Sequence, residues 1–205
     1  MRVVAIDGPV GSGKSTVAKA VADRLDLPYL ESGAMYRLVA LAAVQRGIDP
    51  ADEGSAGAVT ALAADLKMDV GDRVLLDGVD VTDDLRSPEV GRAVSPVAAI
   101  AGVRTELVRR QREWVAERGG GVVEGRDIGS VVFPDAEVKV FLTASAAERA
   151  RRRMQDETPD DLARRDLIDS TRAVSPLIVP PGATVVDTTA RPVDDIVDEI
   201  LALVP

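Results

Sequence analysis

The 205-residue chain contains no histidine, no cysteine and no asparagine. Imidazole general bases, thiolate nucleophiles, disulfides and zinc sites built from His and Cys are therefore excluded. The lack of asparagine also removes the Asn-Lys-x-Asp motif by which guanine-specific switch proteins read their base. Lysine is scarce, four of 25 basic residues, so arginine is partly a compositional habit and a single arginine carries little weight by itself. Long apolar runs are missing too. The longest, Leu38 to Val44, is far too short to cross a bilayer, and Asp7 and Lys14 stand where a signal peptide would be apolar. A formal net charge of -9 opposes nucleic acid or an anionic membrane as the main partner, because such binding starts from attraction to phosphate. A soluble cytoplasmic protein is expected.

What remains for catalysis is carboxylate, ammonium, guanidinium and hydroxyl, with any metal held by oxygen. That inventory suits Mg²⁺-assisted phosphoryl transfer, in which a protein positions groups and neutralises charge. The segment Gly8-Pro9-Val10-Gly11-Ser12-Gly13-Lys14-Ser15-Thr16 points the same way. Its spacing, G-x-x-x-x-G-K-[ST], follows a short apolar run, Arg2 to Ile6, and opens an amphipathic segment carrying Val17, Val21 and Leu25. In such a loop backbone N–H groups wrap phosphate oxygens, the lysine reaches the β/γ-phosphates and the hydroxyl holds Mg²⁺. A helix starting near Lys14 adds unpaired N–H groups and a partial positive charge. A loop of this kind serves kinases, GTPases, motor ATPases and transporters alike, so it names the ligand and leaves the reaction open.

The rest of the chain reads as alternating strands and helices, which predicts an α/β fold with a parallel sheet covered on both faces. Short strands are expected at Pro28 to Leu30, Gly121 to Glu124, Glu137 to Leu142 and Thr184 to Val186. Helices are expected from Ala34 to Arg46, within the alanine-rich stretch Ala51 to Asp65, from Ser87-Pro88, and from Val103 to Glu117. Further helices are expected after Ser145, after Thr158-Pro159 and from Val193. Between them, Leu66 to Val70, Arg73 to Leu76 and Val79 to Val81 alternate like a small antiparallel insertion, with Asp77-Gly78 as a tight hairpin turn. Gly125 to Ala136 reads as a loop directly after a core strand, where open α/β sheets place their ligand crevice. Arg126 and Asp127 lie in it. The arginines at 149 and 151–153 have a solvated helix face as their ordinary reading.

Taken together, several segments resemble the bacterial-type cytidylate kinase family of nucleoside monophosphate kinases. They are Ile6-Asp7-Gly8-Pro9, Ser32-Gly33-Ala34-Met35-Tyr36-Arg37, Val94-Ser95-Pro96-Val97-Ala98, Glu124-Gly125-Arg126-Asp127-Ile128-Gly129, Val132-Phe133-Pro134-Asp135-Ala136, and Arg165-Asp166 through Asp169 to Arg172-Ala173-Val174-Ser175-Pro176-Leu177. The resemblance implies ATP-dependent phosphorylation of CMP and dCMP with Mg²⁺. It assigns Gly8, Pro9, Val10, Gly11, Ser12, Gly13, Lys14, Ser15 and Thr16 to ATP, with Ser15 on Mg²⁺, and Lys14, Arg126, Arg165 and Arg172 to catalysis. Ser95, Arg104 and Asp127 match positions that read cytosine. Arg37, Arg126 and Arg172 match those holding the acceptor phosphate, Asp169 a ribose contact, and Ser32 and Tyr36 the same pocket. A monomer is implied, in one domain with a core near 1–31, 99–150 and 173–205, a monophosphate lobe near 32–98 carrying the β insertion, and a lid near 151–172. That lid is shorter than the family's, because only Met154 to Arg164 separate Arg153 from Arg165. Arg165 and Arg172 are therefore expected to supply most of the lid-side charge, in place of Arg151, Arg152 and Arg153. A P-loop kinase for UMP, AMP or a small metabolite, and a non-catalytic nucleotide-binding regulator, are the competing readings.

Overall fold

The computed structural model describes residues 1–153, 158–171 and 174–205. At its centre lies β1 (Arg2–Asp7), whose residues from Val3 to Asp7 are all buried. Burial on both faces is what allows an unbroken apolar strand in place of an alternating one. It is flanked by β6 (Gly120–Gly125) and β7 (Val138–Thr143). Beyond β6 lies β2 (Tyr29–Glu31), and beyond β7 lies β8 (Thr184–Asp187). Pairing of β1 with both neighbours, and of β7 with β8, is parallel, and Asp7 stands opposite Gly125 on one side and Phe141 on the other. The segments that leave these strands, from Gly8, Arg126 and Thr188, therefore gather along one edge of the sheet, the edge that carries ligands in α/β proteins. Helices α1 (Lys14–Leu25) and α8 (Val193–Leu201) bury Val17, Ala18 and Val21, and Ile196, Val197 and Ile200, against Val4, Ile6, Val122, Val140 and Leu142.

The chain divides into two compact units, residues 1–30 with 115–205, and residues 31–114. Residues 99–114 go with the second unit, where the sequence reading grouped them with the core. That second unit holds α2 (Ser32–Gln45), α3 (Ala56–Asp65), the antiparallel strands β3 (Met68–Val70), β4 (Val74–Leu76) and β5 (Val79–Asp80), and α4 (Pro88–Ala99). It also holds most of α5 (Ala101–Glu117). The local signals act as their chemistry dictates. Ser87 accepts the Val90 N–H at 3.4 Å ahead of Pro88, and Asp77 and Gly78 both take positive φ, 51° and 84°, as a two-residue hairpin turn requires. In the first unit α6 (Ala146–Arg153) is capped by Ser145, whose Oγ accepts the Glu148 N–H, and α7 spans Pro159–Thr171. Among the described residues no helix is long and apolar enough to cross a membrane.

The loop expected between β6 and β7 contains a π-helical turn, Ile128–Val132. Its cause lies 121 residues away in sequence. The buried Asp7 carboxylate accepts the backbone N–H groups of Ile128 and Gly129, each at 2.7 Å. Burial pushes its pKa up to about 6, although the two backbone hydrogen bonds pull the other way. Asp7→Asn would aim an amide NH₂ at one of those N–H groups. The expected cost is about 2 kcal/mol, read as a lower urea midpoint with an unchanged m-value.

Candidate active site

Three glycines of the phosphate loop take positive φ: Gly8 at 151°, Gly11 at 75° and Gly13 at 88°. A Cβ on Gly8 would lie 2.2 Å from the Leu142 carbonyl oxygen, so the loop also approaches β7 too closely for any side chain. Gly13 in the left-handed region is the residue that starts α1, and no side chain caps that helix. Its first N–H groups thus point into the loop, as an anion site needs. Lys14 is buried and its ammonium donates to the Pro9 carbonyl at 2.9 Å. Burial first, then the Arg126 charge, push its pKa down to about 7, while Glu124, Asp169 and Asp7 oppose the shift.

Ser15 donates its hydroxyl to Glu124 at 2.7 Å. The sequence reading left Glu124 without a role. The signal available was a carboxylate at the end of the strand next to the loop-bearing one, and only the parallel register of β1 with β6 turns it into a contact. Two residues on, Arg126 donates from Nε to the Asp169 carboxylate at 2.7 Å, with Asp169 only 8% exposed in its side chain. Asp127 is buried, and its carbonyl accepts from Val131 and Val132 in the π turn. Arg165, also buried, sits one turn before Asp169 on α7. Lys14, Ser15, Arg126, Asp127, Arg165 and Asp169 thus all belong to the first unit. Arg172 lies outside the described residues.

The second unit carries Ser32, Tyr36, Arg37, Ser95 and Arg104. Arg104 is 2% exposed; its guanidinium lies 5.5 Å from the Tyr36 ring centroid and donates to the Ala98 carbonyl at 3.3 Å. A guanidinium over a ring face is held by the ring quadrupole and keeps its plane fixed. Arg37 donates to the Leu85 carbonyl at 3.0 Å, and Ser32 and Ser95 are both buried. Of the α6 arginines, Arg151 is exposed and paired with Glu148, whereas Arg152 turns inward. Among the described residues no group of three or more acidic side chains could hold a metal alone.

The profile of the cytidylate kinase family matches residues 4–205. The chain belongs to the cytidylate kinase family. Among its curated relatives, the cytidylate kinase of Mycobacterium avium is 49% identical over 98% of this chain and 94% of its own length. That of Pelotomaculum thermopropionicum is 46% identical over 98% and 95%. These alignments run to 216 and 215 positions, longer than the chain, so the relatives carry positions with no counterpart here. Solved structures with a similar fold include a gluconokinase from Sinorhizobium meliloti, 19% identical with a TM-score of 0.52 over 98% of this chain and 90% of the other. Shikimate kinase from Acinetobacter baumannii is 14% identical with a TM-score of 0.53, over 99% and 92%. At such identities the likeness is one of fold: a parallel sheet of P-loop kinase type.

Proposed function

We infer that this enzyme transfers the γ-phosphoryl group of ATP to the phosphate of CMP or dCMP, giving ADP and the nucleoside diphosphate. The observation that carries the reading is the pairing of β1 with β6, which sets Glu124, Arg126 and Asp127 beside the phosphate loop. Lys14 and the loop amides hold the ATP phosphates. Ser15 and Glu124 form an oxygen donor pair of the kind Mg²⁺ takes beside phosphate and water, and the bound ion would neutralise charge on the β- and γ-phosphates. Arg126 and Arg172 hold the acceptor phosphate, and Arg165 adds positive charge that offsets the repulsion between two polyanions. An acceptor oxygen attacks the γ-phosphorus as the bond to the β–γ bridging oxygen breaks. No general base is needed, since a phosphate monoester with a second pKa of about 6 is mostly dianionic at neutral pH. The missing histidine is then no obstacle.

Arg126 is paired with Asp169; turned to an incoming phosphate, it would leave that carboxylate to accept from a ribose hydroxyl. Glu124→Gln keeps the shape around Ser15 and removes the charge. The Mg²⁺ concentration for half-maximal rate should rise roughly tenfold, the usual scale for a group that orients a metal ligand, while thermal unfolding stays in place. The reaction itself is tested by ³¹P NMR of enzyme, ATP, Mg²⁺ and CMP. Equal growth of ADP and CDP signals is expected, and release of inorganic phosphate alone would refute transfer.

A further inference from the structure

Three consecutive carbonyl groups of the phosphate loop are held from outside by side chains with no role in the reading above. Arg149 donates from Nη1 to the Val10 carbonyl at 3.1 Å, and Arg152 from Nη1 to the Gly11 carbonyl at 3.3 Å. The Thr188 hydroxyl lies 3.0 Å from the Ser12 carbonyl. Arg152 is fixed in turn by Thr188, through Oγ1 at 2.9 Å and the carbonyl at 2.8 Å, and by Glu148 at 2.9 Å. These contacts are close-fitting. A Cβ on Gly11 would lie 2.9 Å from the Arg149 Cβ, and one on Gly13 would lie 3.3 Å from the Arg152 guanidinium.

We propose that Arg149 and Arg152 are positioning residues for the phosphate loop, and that Arg149 also ties this loop to the helix carrying Arg165 and Asp169. The physical reason is the peptide plane. Loop N–H groups face a phosphate only if the opposite carbonyls face away, and a carbonyl turned into protein needs a donor. Arg149 and Arg152, one turn apart on α6, supply two such donors, and the Thr188 hydroxyl, just after β8, has one proton to share between the Ser12 and Thr143 carbonyls, each 3.0 Å away. A guanidinium can serve two acceptors at once, and the same Arg149 Nη1 lies 2.6 Å from the Asp166 carboxylate on α7. Asp166 stands one turn before Asp169, the partner of Arg126. One helix, α7, therefore carries both the partner of Arg149 and the partner of Arg126. Both inward-turned α6 arginines thereby serve loop geometry.

The proposal rests on the phosphate loop being the ATP site and does not depend on CMP being the acceptor. Its test is calorimetric titration of Arg149→Ala, Arg149→Lys and Arg152→Ala with ATP and, separately, with CMP, alongside steady-state KM for each. Lysine keeps the charge of Arg149 but is shorter and lacks the Nη1 that reaches both Val10 and Asp166. ATP affinity should fall roughly tenfold in all three variants, the scale of one hydrogen bond to a charged donor, with a parallel rise in the KM for ATP. CMP affinity of the ATP-free enzyme should stay within about twofold of wild type in Arg152→Ala, which leaves the Arg149–Asp166 tie intact, and should fall less than ATP affinity in the Arg149 variants, which release α7 as well. Circular dichroism melting accompanies each variant, and Arg149→Lys provides the folded case if alanine unfolds the protein. Wild-type ATP affinity in Arg149→Lys and Arg152→Ala, or equal losses for ATP and CMP, would overturn the proposal. A wild-type enzyme that binds ATP and fails to phosphorylate CMP would refute the function inferred above and leave the loop measurement intact.

Discussion

Replacing Lys14 by methionine is expected to lower kcat/KM by about three orders of magnitude, near 4 kcal/mol of lost transition-state stabilisation. Melting should not suffer. The ammonium is buried at an energetic cost visible in its lowered pKa, and its hydrogen bond is to a single carbonyl, that of Pro9. Methionine keeps the stem and removes that cost, so thermal stability should be unchanged or slightly raised. A companion effect follows from linkage. Burial and the Arg126 charge bring the lysine pKa down to about 7, within reach of neutral pH. A bound polyphosphate favours the charged form, so the complex holds more protons than the free protein above pH 7. ATP binding should therefore take up protons and weaken as pH rises from 7. Titration calorimetry in buffers of different ionisation enthalpy reads that uptake directly, and it should vanish in Lys14→Met.

Asp127→Asn is the second large effect, and it concerns the choice of base. A buried carboxylate can only accept, which suits the cytosine N4 amino group and repels the uracil O4. A mismatched buried contact supports discrimination, because it leaves a polar group unpaired. Asparagine offers either an acceptor or a donor at this position. The variant should lose roughly 10- to 100-fold in kcat/KM for CMP, while UMP turnover changes little or improves, so that the preference narrows from one side. An unchanged CMP to UMP ratio would remove Asp127 from base recognition.

Much of the fold was legible because its signals are local. Ser87-Pro88, Ser145 to Glu148 and Thr158-Pro159 announce helix starts within four residues of chain, and Asp77-Gly78 announces a turn within two. The phosphate loop is of the same kind. Its glycines, lysine and hydroxyl are contiguous, so their chemistry is readable before any folding. What escaped lies in contacts made across long stretches of sequence. The π turn at Ile128–Val132 exists because Asp7 reaches over to its N–H groups, and Glu124 gains a role only by meeting Ser15. The α6 arginines were obscured for a different reason. In a chain with 25 basic residues, mostly arginine, a run such as Arg151-Arg152-Arg153 looks alike at every position. Only geometry separates Arg151, exposed and paired with Glu148, from Arg152, folded against Gly11 and Thr188.

Acceptor preference distinguishes a CMP kinase from a kinase for any other acceptor. Initial rates with ATP and Mg²⁺, coupled to ADP formation, measured against CMP, dCMP, UMP, AMP and shikimate, put every competing reading into one comparison. CMP and dCMP should lead UMP and AMP by at least about 100-fold in kcat/KM, as expected where a buried polar group is left unpaired by the wrong base, with no turnover of shikimate. A different leading acceptor, or ATP binding with no acceptor turned over, would contradict the reading as a CMP kinase.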